Sequence, residues 1–196
     1  MIITVAGFKG GVAKTTTAVH LACFFQEHGP TMLVDGDPNR SATKWAKRGG
    51  FPFRVVDERQ AVRYARDHVH TIIDTKARPE AEDLEALAEG CDLLVVPSTP
   101  DALALDALVE TVTALRSLKN DRYRVLLTIV PPKPSKDEDE AREALEGLPL
   151  FKGRVRRFVA FQKAALAGVP VGEAKDPRAS LGWNDYKKIG KEILSL

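Results

Sequence analysis

The sequence predicts an α/β domain in which a mostly parallel β-sheet is flanked by helices on both faces, the doubly wound arrangement. Short, continuously apolar segments recur along the chain, as expected for strands that are buried on both faces. Segments with helical spacing separate these strands. The first strand leads into a glycine-rich turn and then into a helix. Because no linker or repeat interrupts this alternation, we expect a single domain spanning residues 1–196.

Composition narrows the class of protein. With 196 residues and 44% hydrophobic content, the chain can bury one sizeable core. The formal net charge is only +2, so binding to nucleic acid requires a local basic patch. We expect a cytoplasmic protein, because the sequence has no apolar run of about 18 residues and the first strand leaves no room for a signal peptide. Cys23 and Cys91 fit no metal-binding spacing, and the four histidines accompany no nucleophile, so we expect buried thiols and core or solvated histidines.

The first predicted strand is Ile2–Ala6, and the segment that follows it has the composition of a phosphate-binding loop. A lysine stands on each side of its two glycines, and a helix is predicted to begin at Lys14. Backbone N–H groups of such a turn and the positive end of the helix bind phosphate. Lys14 can reach the β- and γ-phosphates, and the Thr15 hydroxyl can bind Mg²⁺. An ordinary βα turn would need only the glycines. The predicted nucleotide-binding residues are Gly10, Gly11, Val12, Ala13, Lys14, Thr15 and Thr16.

Three aspartates follow two further predicted strands. Thr31–Asp35 is one strand, and Asp37 comes two residues after its end; Thr71–Asp74 is the other. The carboxyl ends of parallel strands share one edge of a sheet, so these aspartates are placed for Mg²⁺ and water chemistry beside the phosphate loop. The Asp-Pro-Asn segment is also good turn chemistry, which is the alternative interpretation.

The remaining elements continue the alternation. The segment 59–68 is predicted to be a charged helix with Val62, Tyr64 and Ala65 facing inward. A helix over Ala102–Leu118 is predicted to be capped near Asp101. The other predicted strands are Phe53–Val56 at an edge, Leu93–Pro97 and Arg124–Val130. Further helices are predicted to begin near Ser41 and to span Glu80–Glu89 and Lys136–Glu146. A last helix is predicted to have Trp183, Tyr186, Ile189 and Ile193 as core positions.

Two clusters of positive charge have alternative interpretations. Lys76 and Arg78 follow Asp74 and either sense the γ-phosphate or are solvated loop charges. The second cluster interleaves basic residues with three phenylalanines, and a solvated face with core aromatics is one interpretation of it. Its basic residues are Lys152, Arg154, Arg156, Arg157 and Lys163.

Three motifs in order resemble those of the ParA/MinD superfamily of dimerising ATPases. Lys9–Thr15 resembles the deviant Walker A motif, K-G-G-x-x-K-[ST], which adds an early lysine to the common form. Asp35–Pro38 resembles the Walker A′ box, and Ile72–Asp74 the Walker B strand. The resemblance covers essentially the whole chain and is strongest to short ParA partition proteins and McdA carboxysome-positioning ATPases. Ala13 is a departure, because most members have glycine there.

The resemblance implies a mechanism and its participants. ATP and Mg²⁺ would bind at the phosphate loop, with Thr15, Asp35 and Asp74 around the metal. Lys14, Lys9 and Asp37 would be catalytic, with Asp37 orienting water and Lys9 reaching the phosphates held by the partner of an ATP-bound homodimer. Lys152 would contact either the nucleotide across the dimer or DNA. The resemblance further implies that the dimer binds nucleoid DNA non-specifically through phosphate contacts, with Arg154, Arg156, Arg157 and Lys163 as the DNA-binding residues. An adaptor of ParB or McdB type would stimulate slow hydrolysis, without membrane attachment.

Two other classes remain open at this point. The superfamily includes metabolic and redox ATPases such as dethiobiotin synthetase and nitrogenase iron protein, which would not position cargo on DNA. The cysteines do not sit in the pattern of a cluster-bridging relative. A nucleotide-gated scaffold that does not hydrolyse ATP is the third class, and Ala13 makes it conceivable.

Overall fold

The central β-sheet is parallel throughout in the computed structural model of the chain, which describes residues 1–7, 9–76, 81–118 and 120–196. Within the described residues the sheet has six strands in the order β3-β2-β4-β1-β5-β6. The strands are β1 (Ile2–Val5), β2 (Thr31–Gly36), β3 (Arg54–Asp57), β4 (His70–Thr75), β5 (Leu93–Ser98) and β6 (Tyr123–Leu127). The predicted edge strand, β3, does lie at an edge of the sheet.

Helices cover both faces of the sheet, which confirms the doubly wound prediction. They are α1 (Lys14–Gln26), α2 (Ser41–Arg48), α3 (Glu58–Tyr64), α4 (Ala81–Glu89), α5 (Ala102–Ser117), α6 (Asp137–Ala144), α7 (Val159–Ala167) and α8 (Ala179–Leu194). Successive strand side chains point to opposite faces. Val95 accordingly joins a core with α1, α2, α7 and α8, whereas Leu94 and Val96 join a core with α4, α5 and α6. Tyr186, Ile189 and Ile193 are buried as predicted.

The sixth strand is shorter than predicted. It ends at Leu127, not at Val130, because Ile129 has a φ of 52° and leaves the extended conformation. Val130 then forms an isolated parallel bridge with Arg156. A continuous apolar run cannot reveal such a turn, since both sides of it are hydrophobic.

The prediction of inward residues on α3 was partly wrong. Val62 is 83% exposed, and Ala65, in the 3-10 turn after the helix, is also exposed. Ala61 and Tyr64, three residues apart, pack instead against Met32, Val34 and Val56 of the sheet. The predicted start of the following helix at Glu80 lies outside the described residues, and its described part begins at Ala81.

The register of the sheet brings the predicted functional segments together. Asp74 of β4 lies beside both Val5 of β1 and Asp35 of β2 in the parallel ladders. The turn after β1 and both aspartates therefore meet at the carboxyl edge of the sheet, where ligands bind in open α/β folds. In the part of the chain that the structure describes, no helix has the length and apolar character needed to cross a membrane.

Candidate nucleotide-binding site

A cavity of about 570 Å³ opens at the carboxyl edge of the sheet. Its volume is in the range of small-molecule sites. One end is formed by the turn before α1 and by the segment after β2, and the other by the chain between β6 and α8. The lining residues are Gly10, Gly11, Ala13, Lys14, Thr15, Thr16, Asp37, Asn39, Ser41, Ile129, Val155, Arg156, Arg157, Phe158, Phe161, Gln162, Ala165 and Tyr186.

The backbone before α1 forms a cradle for an anion. Gly11 has a φ of 80°, and a Cβ built on Gly10 or Gly11 would meet no atom within 4 Å. A phosphate group can therefore approach these amides closely. Ala13, the residue before the helix, also adopts the left-handed conformation with a φ of 63°. A side chain is disfavoured there, which explains why glycine is the common residue at this position.

The two lysines of the loop have different environments. Lys14 is only 7% exposed, and its Nζ donates a hydrogen bond to the Lys9 carbonyl oxygen at 2.9 Å. Burial lowers the pKa of Lys14, while Asp74 and Asp37 act in the opposite direction. The Lys9 ammonium group pairs instead with Asp101 at 2.9 Å. Lys14 lines the cavity and Lys9 does not.

Asp74 and Asp35 present buried carboxylate oxygens that lack hydrogen-bond partners. Among the described residues, this holds for both oxygens of Asp74 and for Oδ1 of Asp35. The other Asp35 oxygen accepts from the backbone N–H and hydroxyl of Thr43 at 2.8 and 2.6 Å. Burial raises the pKa of Asp74 to about 7, and the nearby Thr15 hydroxyl opposes that rise. Such orphaned oxygens are costly unless a cation binds them.

Asp37 lies in a turn at the entrance to α2 and lines the cavity. Its carboxylate accepts the Asn39 N–H at 2.8 Å, and its carbonyl oxygen accepts the Arg40 N–H at 2.8 Å. The Arg40 guanidinium donates to the Asp35 carbonyl oxygen. The turn interpretation is therefore confirmed, and the turn fixes the Asp37 carboxylate at the cavity. The catalytic role of Asp37 stays a prediction.

The far end of the cavity was not assigned from the sequence. Ile129, Phe158 and Phe161 give it an apolar wall suited to a planar base. Tyr186 closes it from α8 and shares a hydrogen bond of 3.1 Å with Thr17 of α1. The sequence pointed to these residues for other reasons. Tyr186 was predicted as a core position of the last helix, and the phenylalanines were noted only as neighbours of a basic cluster.

His20 joins the two ends of the cavity. Its Nδ1 donates to the Thr16 carbonyl oxygen at 2.6 Å, and its Nε2 accepts the Val171 N–H at 2.9 Å. The imidazole is fully buried and stacks on Tyr186 with 4.7 Å between ring centroids. These contacts require a neutral ring, and burial lowers the pKa of His20 to about 4.

Two predicted nucleotide-binding residues lie outside the cavity of their own subunit. Val12 is 2% exposed, and its carbonyl oxygen accepts from the Thr128 hydroxyl at 3.0 Å, so it anchors the loop to the core. Lys152 is exposed and lines a separate groove of about 460 Å³.

This second groove, here called the basic groove, contains five cations and two carboxylates. The cations are Lys152, Arg154, Arg156, Lys188 and Lys191, and the carboxylates are Asp185 and Glu192. Glu192 accepts the N–H groups of Lys152 and Gly153 at 2.8 and 2.7 Å, so its charge is already engaged. Lys188 and Lys191 come from α8 and were missed, because their distance in sequence from Lys152 hides their proximity.

The predicted DNA-binding residues fall into different environments. Arg154 pairs with Glu138 at 2.7 Å, and Arg156 pairs with Asp185 at 2.7 Å. Lys163 lies on α7 and pairs with Asp176 at 2.7 Å, away from the basic groove. Arg157 is exposed and lines the cavity described above. Arg154, Arg156 and Arg157 nevertheless line one cavity of about 380 Å³ together, so three of the four predicted residues cluster and Lys163 lies apart.

The other candidate groups are accounted for within the described residues. Lys76 pairs with Asp83 at 2.7 Å, while Arg78 lies outside the described residues. Cys23 and Cys91 are buried free thiols, as predicted. Neither belongs to a group of three or more potential metal ligands in the described part of the chain.

A loop with two lysines, carboxylates at the ends of adjacent strands and a parallel sheet define a P-loop nucleotide-binding protein. Residues 3–171 match the family model described as the CobQ/CobB/MinD/ParA nucleotide binding domain. The chain belongs to this family and binds nucleotide.

Similarity to individual proteins extends over the whole chain. It is 32% identical to the maintenance of carboxysome distribution protein A of Gloeobacter kilaueensis, over 98% of this chain and 93% of that protein. Its fold is that of the Borrelia burgdorferi plasmid partition protein bound to AMPPNP, with a TM-score of 0.76, 16% identity and coverage of 99% and 98% of the two chains. The ATP complex of an McdA variant from Cyanothece has a TM-score of 0.75, with 15% identity and coverage of 99% and 95%.

Proposed function

We propose that this protein is a Mg²⁺-dependent ATPase that dimerises when it binds ATP, binds DNA without sequence preference and positions or partitions a cargo. Similarity to a carboxysome distribution protein over 98% of the chain favours this class. The observation that carries the chemical part is the set of orphaned carboxylate oxygens of Asp74 and Asp35 opposite the phosphate loop. This arrangement supports a site in which the loop binds phosphate and the carboxylates bind a cation.

The donor set fits Mg²⁺. Asp74 and Asp35 offer hard oxygen ligands that are buried and unpartnered in the described structure, and Thr15 adds a hydroxyl at the start of α1. Mg²⁺ would supply neutralisation of phosphate charge when it is bound there. Burial raises the pKa of Asp74 to about 7, and a cation bound beside the carboxylate would favour its ionised form.

The remaining loop residues have roles set by their positions. Lys14 would contact the β- and γ-phosphates after giving up its bond to the Lys9 carbonyl oxygen. Asp37 lines the cavity and would orient the attacking water. Lys9 lies outside its own cavity and would reach the phosphates held by the other subunit. Hydrolysis would be slow until an adaptor of ParB or McdB type completes the site.

The basic groove is the surface that we propose for DNA. Lys152, Lys188 and Lys191 converge there from two segments distant in sequence, and phosphate contacts depend on charge and not on base identity. Arg156 lines both this groove and the nucleotide cavity, so the two sites share one side chain. Localisation on the nucleoid in the cytoplasm would follow. Lys152 is assigned here to DNA in preference to nucleotide.

Binding to random-sequence DNA tests the proposal. Purified protein is titrated with fluorescent duplex in ATP, ADP or no nucleotide, across a salt series. We expect binding that requires ATP and weakens steeply with salt. Asp37→Ala should retain ATP-dependent binding while turnover falls, because only the water-orienting group is removed. Absence of DNA binding in every nucleotide state would contradict the proposal and favour a metabolic ATPase of the same family.

A further inference from the structure

Lys9 is held outside the nucleotide cavity by an ion pair within its own subunit. Its Nζ lies 2.9 Å from Asp101 Oδ1, with 31% of the Lys9 side chain and 56% of the Asp101 side chain exposed. Lys14, five residues further on, lines the cavity, whereas Lys9 does not. The two lysines of the phosphate loop therefore face different partners.

Asp101 is the fixed end of this pair. It is the N-cap of α5, where its carboxylate accepts the Ala104 N–H at 3.1 Å and the Thr99 hydroxyl. The Thr99 hydroxyl and then Lys9 lower the pKa of Asp101, so the group is ionised at neutral pH. An anchored carboxylate on a helix terminus can hold a long, flexible lysine without adjusting itself.

Lys9 is the flexible end of the pair, and its backbone contacts the second lysine of the loop. Its carbonyl oxygen accepts the Lys14 Nζ at 2.9 Å, and Lys14 is the lysine that phosphate would claim. When Lys14 turns to phosphate, the Lys9 carbonyl oxygen loses that hydrogen bond, whereas the Lys9 ammonium group stays paired with Asp101.

We propose that Asp101 is a positioning residue that opposes dimer closure by retaining Lys9 in its own subunit. This inference rests on the proposed function, in which Lys9 contacts the phosphates of the partner subunit. Closure of a symmetric dimer must then break two Lys9–Asp101 pairs. Asp101 thus sets the threshold at which ATP drives dimerisation, since the γ-phosphate has to outcompete it.

The test is the dimer dissociation constant of Asp37→Ala/Asp101→Asn in saturating Mg-ATP, measured by sedimentation velocity. The Asp37→Ala background suppresses hydrolysis, and asparagine keeps the N-cap oxygen while removing the charge. We expect dimerisation to be about two-fold to thirty-fold tighter than in Asp37→Ala alone, because two exposed ion pairs no longer have to be broken. Asp106→Asn, at an exposed position of the same helix, is the matched control and should change nothing.

Two further measurements separate positioning from a structural role. The effect of Asp101→Asn should fade as salt approaches about 0.5 M, because exposed charges are screened. Lys9→Gln should itself weaken dimerisation by removing the cross-subunit contact, and in that background Asp101→Asn should bring no tightening at protein concentrations where dimers still form. With Lys9 present, Asp101→Glu should return dimerisation to the weaker value of Asp37→Ala alone. The proposal would be overturned if Asp101→Asn still changed the dimer dissociation constant without Lys9. It would also be overturned if the dissociation constants of the variants simply followed their thermal unfolding midpoints.

The outcomes distinguish this proposal from the function on which it rests. Absence of ATP-dependent dimers in every variant, including Asp101→Asn, would overturn the dimer mechanism and this inference with it. Dimers whose dissociation constants match the Asp106→Asn control would overturn only the role of Asp101. Tighter ATP binding by monomeric Asp101→Asn, with unchanged dimerisation, would mean that Lys9 serves its own cavity and would also overturn it.

Discussion

The phosphate end and the base end of the nucleotide cavity are built in different ways. The phosphate end consists of short contiguous segments, the turn before α1 and the segment after β2, whose groups are fixed by backbone conformation. The base end consists of single side chains from α7, α8 and the loops that follow β6. One end therefore depends on local sequence and the other on how distant elements pack.

Replacement of the buried Lys14 should produce the largest loss of ATP affinity, because it alters only the phosphate end of the cavity. We expect Lys14→Met to weaken ATP binding about 100-fold or more, because it removes the ammonium group that faces the phosphates and leaves Asp74 and Asp37 without a nearby counter-charge. Isothermal titration calorimetry with a non-hydrolysable ATP analogue measures it. Lys47→Met, at an exposed position on α2, is the control; an affinity within three-fold of wild type for Lys14→Met would refute the assignment.

The second prediction concerns the contact that joins the two ends. His20 must stay neutral in the folded chain, with its pKa lowered from 6.5 to about 4. The unfolded chain takes up this proton as pH falls through 6.5, whereas the folded chain does not until about pH 4. The His20 contribution to stability is therefore complete above pH 6.5 and is lost between 6.5 and 4, by about 3 kcal/mol.

Urea unfolding of wild type and His20→Gln from pH 7.5 to 4 measures this loss. The difference between the two free energies of unfolding cancels groups common to both chains, among them Asp74. We expect wild type to lose its advantage over the variant progressively as pH falls. A difference that is independent of pH would mean that the pKa of His20 is the same in the folded and the unfolded chain, as for an exposed imidazole.

Most of the loop residues predicted to bind nucleotide do line the cavity, because the turn before α1 is a segment only a few residues long. Val12 does not line it, and the roles of these residues stay predictions. The sequence did not predict the turn at Ile129, since the apolar run continues through it. The place of Lys188 and Lys191 in the basic groove was missed for a related reason. Helical spacing on α8 identifies its buried face, but only the folded structure shows that the exposed lysines line the same groove as Lys152.

The third prediction concerns the basic groove, which, like the base end of the cavity, is formed by residues from distant segments. Lys188→Ala/Lys191→Ala should weaken ATP-dependent DNA binding about ten-fold near physiological salt and reduce the salt slope by about 2, through loss of two phosphate contacts. Fluorescence anisotropy across a salt series measures both quantities. Lys44→Ala/Lys47→Ala on α2 is the matched control. Equal losses in both double variants would indicate a diffuse charge effect in place of a groove.

Ala13→Gly should have the smallest effect and tests how much strain the phosphate end tolerates. Ala13 has a φ of 63°, which is costly for a residue with a Cβ, whereas glycine adopts it freely. Glycine also gains freedom in the unfolded chain, so the two terms nearly cancel. We expect the free energy of unfolding to rise by no more than about 1 kcal/mol, with ATP affinity within three-fold of wild type. A loss of more than about 1 kcal/mol in urea unfolding would instead show that the Ala13 methyl makes a stabilising contact, and that this loop is adapted to alanine.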